Sequence, residues 1–137
     1  RIVTSDLAPL PDSIKNISSE HVQGDLVYKI KNFYDYDFDV IFHLAASLSS
    51  KAEIASEEAH RNNVEETMQL LMLAAYRSEK YHKSVKFLFP SSIAAYGMAN
   101  IEANRAAGSV KEDEYNTPHT MYGCNKLYCE KLGLYYS

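Results

Sequence analysis

The chain predicts an α/β fold built on a doubly wound parallel sheet, and three observations point there. Asp39 to Ala46 and Val85 to Ser92 are short, continuously apolar runs, the pattern of strands covered on both faces. Between them Val64, Met68, Leu71, Met72 and Ala75 recur at the spacing of one buried helical stripe. The resulting order is strand, strand, helix, strand, helix, strand, helix. Parallel strands joined by right-handed helical crossovers give this order and put helices on both faces.

The elements follow in turn. Arg1 to Asp6 reads as a strand, ended before Pro9 and Pro11. His21 to Asp25 is a second short strand, with Gly24 near its end. Leu26 to Tyr36 predicts a short helix turning Ile30 and Phe33 inward. Asp39 to Ala46 is the clearest strand, and a long helix covers roughly Ser56 to Lys80. After the strand Val85 to Ser92, the stretch from Ala94 to Pro118 reads as loop. Thr120 to Tyr136 closes the chain as a helix with Cys124, Leu127, Tyr128, Leu132 and Tyr135 on one side.

Composition narrows the function. The 137 residues are enough for one domain with a real core. A net charge of -4, with no basic cluster, leaves no electrostatic footprint for nucleic acid. No apolar run is long enough to span a bilayer, and no signal peptide is visible. Cys124 and Cys129 suit neither a disulfide within a helix nor a metal site, which predicts a reducing, cytoplasmic setting. His21, His60, His82 and His119 lack ligand spacing, so no metal is expected. His43, in an apolar strand, reads as a structural histidine. Glu53, Glu57 and Glu58 read as a solvated helix start, and Met68 with Met72 as core or subunit-interface packing.

The chemistry concentrates in Thr120-Met121-Tyr122-Gly123-Cys124-Asn125-Lys126. Tyr122 and Lys126 are four apart and share a helix face. An ammonium beside a phenol favours phenolate, one way to make a usable proton carrier. Upstream, Phe87 to Ser92 delivers hydroxyls at the C-terminal end of a strand, where open parallel sheets bind ligands. Ser, Tyr and Lys so arranged suggest redox chemistry at a carbinol or carbonyl carbon. The pair alone also fits an ordinary solvated helix face; the order of the surrounding elements favours the chemical reading.

Five stretches together resemble the extended short-chain dehydrogenase/reductases, the NAD-dependent epimerase/dehydratase group. They are Asp6 at the end of the first strand; Gly24-Asp25-Leu26; His43-Leu44-Ala45-Ala46; Asn62-Asn63-Val64-Glu65-Glu66-Thr67; and Pro90 to Gly97 followed by Tyr122 to Lys126. The resemblance implies a Rossmann-like fold, with residues 1–137 forming part of one NAD(P)-binding domain. It implies that Asp6 accepts from the adenosine ribose hydroxyls, favouring NAD over NADP. Asp25 and Leu26 would flank adenine, and the backbone of Leu44, Ala45 and Ala46 would pass close to the cofactor. Asn63 would hold the strand end. Ser92 would bind the substrate oxygen, with Ser91 touching the cofactor or the next strand. Tyr122 would be the general acid/base, and Lys126 would bind the nicotinamide ribose and favour the phenolate. Each residue has a plainer alternative: Asp6 as a turn residue, Asp25 as a helix cap, Ser47, Ser49 and Ser50 as loop filler.

A Gly-rich phosphate loop is expected before Arg1 and a substrate-binding portion after Ser137. The stretch is therefore expected to belong to a larger enzyme, and by itself to hold cofactor poorly and not turn over. Glu66 stands where relatives commonly carry Gly, which a helix tolerates. The expected substrate is a small molecule, first a nucleotide sugar, alternatively L-threonine or a small hydroxy acid. A non-catalytic dinucleotide-binding scaffold or sensor is the rival reading. A homodimer through helices 56–80 and 120–136 is expected from the family's assembly.

Overall fold

The computed structural model describes residues 1–137. Four strands form: β1 (Val3–Asp6), β2 (Glu20–Gln23), β3 (Val40–Phe42) and β4 (Lys86–Leu88). They pair in parallel as two separate ladders, β1 with β2 and β3 with β4. Six α-helices accompany them: α1 (Leu26–Lys29), α2 (Ser49–Ile54), α3 (Ser56–His60), α4 (Glu66–Tyr81), α5 (Ile101–Ala107) and α6 (Met121–Tyr135). No helix is long and apolar enough to cross a membrane.

The core gathers both ladders under one helical layer. Phe33, Leu70 and Leu73 are its buried centre, and Val3, Val22, Ile41 and Phe87 contribute one inward side chain from each strand. Phe33 turns inward as the sequence predicts, although the expected helix over 26–36 is a short α-turn continued by a 3-10 turn at Ile30–Phe33.

Three sequence expectations change. The two clearest strands are shorter than expected: β3 covers Val40–Phe42 and β4 Lys86–Leu88, with Ile41 and Phe87 packed on the core and Phe42 and Leu88 63% and 45% exposed. The helix joining β3 to β4 packs on the core side, and the link from β1 to β2 carries a 3-10 turn at Asp12–Ile14. Second, the stripe of α4 is rotated. Leu70, Leu71, Leu73, Ala74 and Arg77 are buried, while Met68 and Met72 face outward at 37% and 47% exposure. The apolar spacing counted two faces as one. Third, the predicted loop from 94 to 118 contains α5, and the segment after β3 contains α2. The α5 signal was present: Asn100 accepts from the Ala103 N–H as a side-chain cap, and Gly108 ends the helix at φ 62°.

The long helix predicted over 56–80 is real but interrupted. A π-helical turn at Arg61–Glu65 joins α3 to α4. Such single turns insert one residue into the ladder and often mark functional positions.

Candidate active site

The predicted site residues sit at the C-terminal ends of the strands. Asp6 ends β1, and its Oδ1 accepts from the Ala8 N–H at 2.9 Å in a short turn, so the turn reading of Asp6 holds. Asp25 follows β2 and caps α1, accepting from the Val27 N–H at 3.0 Å. Its other oxygen accepts from Arg61 at 3.2 Å, which ties the end of β2 to the π turn. Leu26 begins α1 and is half-buried. Beyond β3, Leu44 and Ala45 are exposed and Ala46 is half-buried, leaving an open run of backbone past the strand end.

Asn63 fixes that run. Its Oδ1 accepts from the Ser47 N–H at 2.7 Å and its Nδ2 donates to the Ser47 carbonyl at 3.0 Å. One buried side chain thus satisfies both backbone groups of a loop residue, while Asn62 donates to the Ser47 hydroxyl at 3.2 Å. The π turn leaves the Asn63 carbonyl open to side chains, and it accepts from Thr67 Oγ1 at 2.6 Å and from Cys129 Sγ at 3.2 Å. Thr67 Oγ1 also lies 2.9 Å from His43 Nε2. His43 is therefore a hydrogen-bonded structural histidine. Burial, and secondarily the charge of Lys126, pushes it down to about 4, so its ring is neutral near pH 7.

Lys126 is 5% exposed on α6. Its ammonium donates to the Pro90 carbonyl at 2.8 Å and lies over two rings, 4.3 Å from the Phe89 centroid and 5.6 Å from that of Tyr122. Burial lowers its pKa from the ordinary lysine value. The ammonium, the Phe89 ring and the His43 imidazole are stacked in sequence, with the two ring centroids 6.0 Å apart. Ser92 begins the 3-10 turn Ile93–Ala95, and its Oγ accepts from the Ala94 N–H at 3.2 Å, which leaves its own O–H available to donate. The hydroxyl of the adjacent Ser91 donates to Glu130 on α6.

Two close approaches bring together the backbone segments that carry Ser92 and Tyr122. A Cβ on Gly123 would lie 2.0 Å from the Ala94 carbonyl oxygen, so α6 rests backbone-to-backbone on the 3-10 turn that follows Ser92. A Cβ on Gly97 would lie 1.7 Å from the Thr117 carbonyl oxygen, which closes the loop carrying α5 at its base. Ser92, Tyr122 and Lys126 are thereby held around the end of β4. Asp6, Asp25 and Leu26 belong to the β1–β2 end, and Leu44 to Ala46 with Asn63 to the β3 end.

Sequence reasoning missed Glu53. It is exposed as expected but lies near the end of α2 rather than at a helix start, and its Oε1 accepts from the Met121 N–H at 2.7 Å, capping α6 from 68 residues away. Nothing in local spacing signals a cap supplied by another helix. Sequence reasoning also took Glu66 as an ordinary helix residue, yet it is buried. Burial, then repulsion from Asp25, raises its carboxyl to about 7.

The model of the NAD dependent epimerase/dehydratase family matches residues 10–137. A D-erythronate dehydrogenase of Haemophilus influenzae is 32% identical over 94 residues, 69% of this chain and 27% of that protein. Among solved structures, MoeE5 in complex with UDP-glucose and NAD superposes with TM-score 0.76 at 28% identity, over 98% of this chain and 40% of that one. A GalE-like L-threonine dehydrogenase from Cupriavidus necator superposes with TM-score 0.75 at 25% identity, over 98% of this chain and 41% of that one. The chain therefore spans between a quarter and two fifths of the length of these proteins.

Proposed function

The chain belongs to the NAD dependent epimerase/dehydratase family, and on that premise we propose that residues 1–137 are part of one NAD(P)-binding, Rossmann-type domain of an oxidoreductase acting at a substrate hydroxyl or carbonyl carbon. The observation that carries the reading is the convergence of Ser92, Tyr122 and Lys126 on the end of β4, set by the Lys126–Pro90 hydrogen bond and the Gly123–Ala94 contact.

The residues at the strand ends fit a dinucleotide. Asp6 has a carboxylate oxygen beyond the one held by Ala8, suited to ribose hydroxyls and repulsive to a 2′-phosphate, which favours NAD over NADP. Asp25 and Leu26 would flank the adenine, and the open backbone of Leu44, Ala45 and Ala46 leaves room for the cofactor's approach. Asn63 would hold that backbone still through Ser47. Ser91, beyond the end of β4 and hydrogen-bonded to Glu130 of α6, would touch the cofactor. When bound, NAD supplies the hydride acceptor and donor. The chain's own part is proton handling. Tyr122 Oη would take the proton from the substrate hydroxyl, or return it to a carbonyl oxygen. Ser92 Oγ–H would donate to that same oxygen and stabilise its developing charge. The Lys126 ammonium, 5.6 Å from the Tyr122 ring centroid, would reach the nicotinamide ribose.

The substrate reading is a nucleotide sugar, supported by the likeness to a protein solved with UDP-glucose and NAD. A small hydroxy acid or L-threonine is the second reading, favoured by the D-erythronate and L-threonine dehydrogenases. NADH absorbance with the full-length protein, NAD and a panel of UDP-sugars, small hydroxy acids and L-threonine separates them. Steady NADH accumulation with a hydroxy acid or threonine supports a dehydrogenase; conversion of sugar isomers without accumulation supports an epimerase. Tyr122→Phe should lower turnover by roughly 100-fold or more if Tyr122 carries the proton. Full activity in that variant would leave the scaffold or sensor reading standing. The outward faces of α4 and α6 support a homodimer as the assembly.

A further inference from the structure

We propose that Glu53 is a positioning residue for Tyr122, acting through the backbone of α6 rather than on the substrate. The inference rests on the reading of Tyr122 as the acid/base. Tyr122 is the second residue of α6, in a turn whose amide N–H groups have no partners within the helix. Two are satisfied by side chains. Thr120 Oγ1 accepts locally from the Gly123 N–H at 3.0 Å, and Glu53 Oε1 accepts from the Met121 N–H at 2.7 Å.

The second cap differs in kind from the first. Thr120 fixes the shape of the turn but travels with it. Glu53 belongs to α2, so its bond fixes where α6 begins relative to the rest of the fold. α2 is itself anchored: Ala52 is fully buried, and the preceding loop is clamped at Ser47 by Asn63. A continuous line of contacts therefore runs from the π turn through Ser47 and α2 to the amide that immediately precedes Tyr122. The carboxylate sits at the positive end of the α6 dipole, which strengthens the bond. Glu53 is solvent-exposed at the rim, so its truncation removes the bond without opening a cavity.

The test uses the full-length protein with the substrate found by the panel above. Glu53→Ala and Glu53→Asp, the latter too short to reach, should each lower kcat about tenfold while KM for NAD moves less than about twofold, since only the acid/base is displaced. Glu53→Gln keeps an oxygen acceptor for the same N–H and should restore kcat to within about threefold of the parent, with the remainder due to lost charge. Hydrogen exchange across residues 120–124 should quicken in the Ala and Asp variants and stay near the parent rate in Gln. Parental kcat and parental exchange in Glu53→Ala would overturn the proposal, as would a Gln variant as impaired as Ala. Those results stand apart from failure of the underlying reading, which Tyr122→Phe at full activity would reveal and which would remove this proposal with it.

Discussion

His43 and Glu66 are both buried and titratable, and their environments act on stability in opposite directions. His43 has a folded value of about 4 against an ordinary 6.5. Between those values the unfolded chain binds a proton that the folded chain refuses, so stability falls as pH drops through that window. Glu66 is the reverse, with a folded value of about 7 against 4.5. Its folded form keeps a proton that the unfolded chain releases, so its contribution is complete below 4.5 and lost as pH rises through 7. Each window is worth up to about 3 kcal/mol. The two slopes oppose each other between pH 4.5 and 6.5. Replacing Glu66 with Gln removes one of them. Thermal melts from pH 4 to 8 should then show a nearly flat parent curve over the shared window and a rising one for Glu66→Gln, with the variant the more stable at pH 8. Parallel curves would mean that the Glu66 carboxyl is not held protonated by the fold. Neither environment was legible in the sequence beyond the apolar run around His43. Glu66 looked like any helix residue because its burial comes from elements far away in the chain, as the repulsion from Asp25 indicates.

Glycine separates the ends of α6 at the scale of the element. Gly123 faces the Ala94 backbone, and an added Cβ would meet its carbonyl oxygen at 2.0 Å and carbon at 2.9 Å. A backbone neighbour cannot swing aside, so Gly123→Ala must lift α6 off the turn after Ser92. We expect a loss of about 2–3 kcal/mol and, with Tyr122 displaced, a fall in turnover of at least tenfold. Gly133, nearly three turns further on, has nothing within 4 Å of its would-be Cβ. Gly133→Ala should therefore stabilise the helix by about 0.5–1 kcal/mol and leave turnover unchanged. Chemical denaturation of the two variants checks both signs; destabilisation by Gly133→Ala, or none by Gly123→Ala, would contradict this account of α6. The helix and its Tyr-Lys face were readable from spacing alone. The π turn was not, because its signature is the diversion of a backbone carbonyl to Thr67 and Cys129, not a composition. α2 was missed for a related reason: it has no side-chain cap of its own, and its one buried anchor is Ala52.

At the scale of the molecule, periodicity revealed that α4 is amphipathic but not which face is inward. Parallel order and apolar strands were enough to predict an α/β sheet, since both follow from local sequence. The same ambiguity makes α4 informative. One side buries Leu70, Leu71, Leu73 and Ala74, with Leu70 and Leu73 packed on the strands, and the other presents Met68, Met72 and Tyr76 at successive i, i+4 positions to solvent. On α6, Gly123, Asn125, Lys126 and Cys129 are buried, and Tyr128, Leu134 and Tyr135 are exposed. Exposed apolar stripes of this kind are suited to association with another surface. If the homodimer forms through both helices, a charge on either stripe must be buried without a partner on association. Met72→Glu and Tyr128→Glu should each convert the full-length protein from dimer to monomer at micromolar concentration, read by sedimentation velocity, since an unpaired buried charge costs several kcal/mol. Dissociation by one variant only would confine the interface to that helix, and a dimer surviving both would place it elsewhere.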